Sequence, residues 1–118
     1  MPLSDIEAAV ETYIRAATYG LKEDLLALFH PNFKTAGPLA EQIGWFDREA
    51  AIRFCEENAM PEEAPMPIWR LRNAAAFEGT AFAVVESKFL DQTFVEVLTF
   101  LKEDGRWQLA FKSFETEN

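Results

Sequence analysis

Ile6, Val10, Tyr13, Ile14 and Ala17 recur at three- and four-residue intervals near the start of the chain, with polar residues filling many of the gaps. That period predicts a helix with one apolar face. Ser4 followed by Glu7 reads as a capping box at its start, and Gly20 as its C-terminal cap. A second helix is predicted over Leu21 to Phe29, with Leu25, Leu28 and Phe29 facing inward. Pro31 stops it, because the residue before a proline is driven out of helical geometry. The two helices form a hairpin. Between Phe33 and Phe46 the pattern loosens around Gly37, Pro38 and Gly44, which predicts one or two short strands and a loop carrying Trp45. Asp47 caps a third helix, DREAAIRFCEENA, with Ile52, Cys55 and Ala59 on one stripe, Phe54 beside it and Pro61 as its limit.

Beyond the proline- and acid-rich connection PEEAPMP the period changes from helical to alternating. Four runs, Ile68 to Phe77, Thr80 to Leu90, Thr93 to Lys102 and Arg106 to Glu115, are separated by Glu78-Gly79, Asp91-Gln92 and the turn EDG. Connections this short join antiparallel neighbours, so the second half of the chain is predicted to be a four-strand meander. Simple pairing sorts the side chains into two sets. One carries Phe82, Val84, Glu86 and Lys88, then Val95, Val97, Thr99 and Leu101, then Trp107, Leu109, Phe111 and Ser113. The other carries Ala81, Ala83, Val85, Ser87 and Phe89, then Phe94, Glu96, Leu98 and Phe100, then Gln108, Ala110, Lys112 and Phe114. Neither set is polar, so both faces need cover. Three helices cover one; a second copy of the chain, packed sheet to sheet, covers the other. A sheet curled tightly enough to bury its own face is the alternative.

The second set mixes small residues with large aromatics, a combination that leaves room for a cavity beneath the helices. Lys112 interrupts an apolar strand there, and in this register it lies directly across from Glu96, an alignment that a β-bulge would break. The candidate pocket is therefore lined by Tyr13, Trp45, Phe89, Phe94, Glu96, Leu98, Phe100, Ala110, Lys112 and Phe114. A buried ion pair must be mutually satisfied or meet a ligand, since stranding one partner costs about 3–5 kcal/mol. Glu96 suits a proton acceptor and Lys112 a holder of a substrate anion or carbonyl. As plain structure, the two satisfy one another, and the residues alone favour that reading.

The 118 residues fall in the range of one domain, taken as 1–118, and 49% apolar residues are enough for one core. Eleven basic residues against twenty acidic ones give a net charge of −9, which repels nucleic acid and anionic membrane surfaces. No apolar run approaches the roughly 18 residues of a membrane span, and the first residues carry no signal-like core, so the chain reads as cytoplasmic. Cys55 is the only cysteine, which removes intrachain disulfides and cysteine cages, and it reads as a buried thiol. His30 is the only histidine; it is a catalytic candidate because its unperturbed pKa is near neutral, but its place before Pro31 favours a cap for the second helix. No metal or phosphate-loop motif is present, and no cofactor is expected.

The phrases ETYIRAATYG, LLALFHPNF and FVEVLTFLKEDGRWQLAFKSF, in the order helix, helix, short strands, helix, meander, resemble the nuclear-transport-factor-2-like superfamily. That superfamily includes ketosteroid isomerase and the SnoaL-like cyclases. Within it the chain looks most similar to small bacterial proteins labelled lumazine-binding. The resemblance implies an α+β fold: a cone-shaped, curved antiparallel sheet, made of the meander plus short N-terminal strands, wrapped around three helices. It also implies a pocket inside and a homodimer outside. Catalytic relatives place Asp, Tyr or His in the pocket; Glu96 lies on the strand where cyclases keep an acid, but no histidine follows GRW in the last strand. The functional expectation is a protein that binds a small, largely apolar molecule; if it is an enzyme, a cofactor-free isomerase, hydratase or cyclase is expected. A non-catalytic dimerisation or interaction module is the other reading.

Overall fold

The structure is a computed structural model that describes residues 1–89 and 91–117. Helix α1, Leu3–Tyr19, buries Ile6, Val10, Tyr13 and Ile14 on the stripe that the spacing requires. The capping box does not form. Ser4 lies inside the first turn, and Pro2 takes the N-cap position with no side-chain hydrogen bond. The Pro2 carbonyl instead accepts from the Asp5 and Ile6 amides. Gly20 ends the helix in the left-handed region, φ 63°. A Cβ there would meet Ala59 Cβ at 2.8 Å and the Cys55 carbonyl at 3.0 Å, so both the dihedral and the neighbouring helix demand glycine.

Helix α2, Lys22–Leu28, stops one residue short of the expected end, because Phe29 already starts strand β1, Phe29–Leu39. Pro31 therefore lies within an extended segment, where the β1 register is irregular and a missing amide is tolerated. His30 does not cap α2. That task falls to Arg48, which donates to the Leu26 carbonyl, and to Arg106 and Gln108, which donate to that of Ala27. Strand β2, Gln42–Asp47, pairs antiparallel with β1, and Trp45 sits in this strand rather than in a loop. Asp47 caps helix α3, Arg48–Glu57, by accepting from the Ala50 amide at 2.9 Å.

Strands β3, Ile68–Ala76, β4, Thr80–Phe89, β5, Gln92–Glu103, and β6, Arg106–Glu117, form the meander. Leu90, assigned above to the second of these runs, is outside the described residues. The sheet is curved and unclosed, in the order β2-β1-β6-β5-β4-β3. It is mixed rather than wholly antiparallel, because β1 runs parallel to β6. Those two strands are far apart in sequence, so no short connection dictates their direction. The fold is α+β, as expected.

Two local features reset the register of β6. Asp104 and Gly105 both adopt positive φ, 53° and 76°, making a two-residue turn that pairs Glu103 with Arg106. Beyond it the ladder shifts once more, from Phe100↔Leu109 to Thr99↔Phe111, leaving Ala110 as the extra residue of a bulge. Trp107 and Leu109 thereby turn inward, against the expectation, while Lys112 and Phe114 stay on the concave side. Ala81, Ala83, Val85, Leu98, Phe100 and Leu109 form the core with Ile6, Val10 and Tyr13. Helix α1 packs over these strands, and both alanines are buried in the shared core.

Candidate functional site

Three polar side chains from three elements meet where this packed core gives way to partly exposed positions. Tyr13 arrives on the buried stripe of α1. Glu96 faces inward through the alternation of β5 with Leu98 and Phe100, and Lys112 faces inward because the bulge precedes it. Lys112 Nζ donates to Tyr13 Oη at 3.0 Å and lies 3.3 Å from Glu96 Oε2; Tyr13 Oη donates to that same oxygen at 3.0 Å. Tyr13 is only 3% exposed, whereas the Lys112 and Glu96 side chains keep 20% and 16%. The ammonium also lies 5.4 Å from the centre of the Phe114 ring and 5.5 Å from that of Tyr13.

Burial pushes the Tyr13 phenol far above its ordinary value and Glu96 adds to the shift, so Tyr13 stays protonated and donates. Burial works against the Lys112 ammonium, but the Tyr13 and Glu96 oxygens facing it outweigh that and raise its pKa. Cys55, on α3, feels the same two charges; burial raises its pKa, with Lys112 opposing, so it remains a thiol. Among the described residues Glu96 Oε1 has no hydrogen-bond partner, and Lys112 has one N–H beyond the two it uses. The cluster thus offers one spare acceptor beside one spare donor, with a net charge of zero.

The other residues singled out in the sequence divide. Phe94 and Phe114 are half-buried on the same face as the cluster. Leu98 and Phe100 are sealed in the core and Ala110 is the bulge residue. Trp45 is not in the site: it pairs with Ala36, whose β6 neighbour Ser113 belongs to the convex face, and it is 69% exposed. The Phe89 side chain is outside what the structure describes. His30 stands apart, with Nδ1 accepting from the Asn32 amide and Nε2 therefore donating to Glu103 Oε1 at 3.2 Å. Among the described residues no group of three or more His, Cys, Asp or Glu is arranged to hold a metal.

Two residues of the site were missed. Thr35 pairs with Lys112 across the β1–β6 ladder, and its buried Oγ1 has no partner among the described residues. Gly37 lies under Phe114: a Cβ there would come within 2.6 Å of the ring. Only the pairing of β1 on β6 gives either residue its meaning, and nothing in the sequence announces that pairing.

The fold is shared with nuclear-transport-factor-2-like proteins of unknown function. One from Silicibacter pomeroyi DSS-3 is 26% identical, with TM-score 0.87, covering 99% of this chain and 100% of that one. Another, from Methylobacillus flagellatus KT, is 22% identical, with TM-score 0.78 and coverage of 100% and 96%. A third, from Shewanella baltica OS155, is 14% identical, with TM-score 0.79 and coverage of 100% and 98%. No curated protein matches the sequence. Residues 2–115 match the family described as "Putative lumazine-binding", and the chain belongs to that family.

Proposed function

We propose that the chain binds a small, largely apolar molecule at the open end of its concave face, with Glu96 and Lys112 as polar anchors and Phe94 and Phe114 as walls. The observation that carries this reading is the partly exposed ion pair, held in place from beneath by Tyr13. The pair leaves one carboxylate oxygen and one N–H facing the partly exposed side, where a ligand can replace water. The family description supports a small ligand, though a more polar one: a lumazine is a flat bicyclic ring whose imide edge carries an N–H between two carbonyls. Glu96 would accept the N–H and Lys112 would donate to one of the carbonyls. If the bound molecule reacts, proton transfer through Glu96 suits the site, as in isomerisation, hydration or cyclisation. Native mass spectrometry of freshly purified protein, followed by thermal shift with lumazine, tests the reading. A co-purifying small molecule or a saturable shift supports it; an empty mass with no shift contradicts it.

A second reading, compatible with the first, is self-association through the convex sheet face. Ile43, Trp45, Val97 and Leu101 are exposed there. Arg70 and Arg72 pair with Glu86, and Arg72 with Glu117, so a chain of strong negative charge carries a charge-balanced cluster on this face. A homodimer packed sheet to sheet covers these apolar side chains without setting like charges against each other.

A further inference from the structure

A groove of about 340 Å³ runs between α2 and α3, and it shares no residue with the Tyr13, Glu96 and Lys112 cluster. Leu26 and the buried Ile52 give it an apolar lining, and Lys22, Arg48 and Arg53 line it together with Glu49 and Glu56. Three of the eleven basic residues of a strongly acidic chain thus gather in one depression. Arg53 is already compensated by Glu49, 3.5 Å away. Arg48 is different. Its Nη2 donates to the Leu26 carbonyl at 2.6 Å, which fixes the guanidinium at the mouth of α3, while its Nε is buried with no partner. Among the described residues no carboxylate forms an ion pair with it.

The buried Nε lies out of a ligand's reach, but the outer edge of this pinned guanidinium, Nη1 with the second N–H of Nη2, presents a fork that matches a planar carboxylate. The apolar lining asks for more than a bare ion. Three cations against two acids leave one net positive charge, which favours a monoanion over a dianion. We propose that this groove binds a small monocarboxylate with an aliphatic body: the carboxylate on Arg48 with help from Lys22, the aliphatic part against Leu26 and Ile52. The volume, at the lower end of small-molecule sites, has ample room for a short aliphatic acid.

The test is a titration of the full chain with butyrate, acetate and inorganic phosphate, followed by NMR at the Arg48 Nε–H and at the Leu26 and Ile52 methyls. Butyrate should give saturable shifts at all three residues, with Kd on the order of 1 mM, and acetate should bind more weakly. Arg48→Gln should weaken butyrate binding roughly tenfold, the loss expected of one charge-assisted contact. Arg48 also caps α2, so Lys22→Met and Glu49→Gln provide a pair that leaves the cap alone. The first should weaken binding and the second strengthen it. Absence of saturable shifts overturns the proposal, and so does unchanged affinity across these variants. Phosphate binding more tightly than butyrate overturns the assignment to an aliphatic monocarboxylate.

Discussion

Lys112 stands across the ladder from Leu98, yet its ammonium lies 3.3 Å from Glu96, two residues along the same strand face. The contact is diagonal, and Tyr13 closes it into a triangle from the helix above. Each partner is mostly buried, so removing one strands the other. Lys112→Met alone should cost about 3–5 kcal/mol in urea unfolding, whereas Lys112→Met with Glu96→Leu should cost markedly less. Equal losses in the single and double variants would mean that the two charges are not coupled.

Gly37 and Phe114 offer a packing test. A Cβ at position 37 would lie 2.6 Å from the Phe114 ring, so Gly37→Ala must displace it, at about 1–3 kcal/mol. Combining it with Phe114→Leu should recover part of the loss. Strict additivity in that cycle would show that the two residues do not touch.

Gly105 and Gly79 separate dihedral strain from crowding. A Cβ at either would meet nothing within 4 Å, but only Gly105 has positive φ, at 76°. Gly105→Ala should therefore destabilise by roughly 1 kcal/mol, and Gly79→Ala should be neutral or stabilise by about 0.4–1 kcal/mol. Thermal melts that rank the two in the opposite order would contradict this turn geometry.

Much of the fold was legible because it is local. The stripe of α1, the Asp47 cap and the alternation of the four final strands each follow from spacing over a few residues. The register of β6 was not, because it depends on two one-residue shifts, at the Asp104-Gly105 turn and at Ala110. Their sum is two residues, an even number, so Lys112 and Phe114 kept the face that alternation gives them while Trp107 and Leu109 exchanged theirs. A lysine between phenylalanines is a visible anomaly in the strand, and it marks the ion pair. Trp45 was misplaced because the pattern of β2 does not say which side of the sheet its large residues take. The parallel pairing that makes Thr35 and Gly37 part of the site joins segments far apart in the chain.

Acid should weaken the convex face. Hydrogen bonds from Arg70, and next from Arg72, pull the Glu86 carboxyl down to about 2. An unfolded glutamate titrates at about 4.3. With the folded value depressed, the stabilisation is present above the unfolded value and is lost as pH falls through the folded one. Glu117, lowered by Arg72, acts in the same direction. Unfolding free energy should decline across that interval, and Glu86→Gln should flatten the decline. An unchanged acid profile in Glu86→Gln would exclude this origin.

Self-association has a direct readout in light scattering. Wild type should elute at twice the 13.4 kDa of one chain, and Val97→Lys at the single-chain mass with its circular dichroism intact. A monomeric wild type would remove the dimer from the picture.

The most direct measurement is calorimetric titration of lumazine into wild type and into the double variant Lys112→Met with Glu96→Leu, both checked for folding. Saturable binding by wild type that disappears in the double variant is the expected result. Binding of equal strength in both proteins would contradict the role given to this ion pair, and no binding to wild type would contradict the imide-edge ligand.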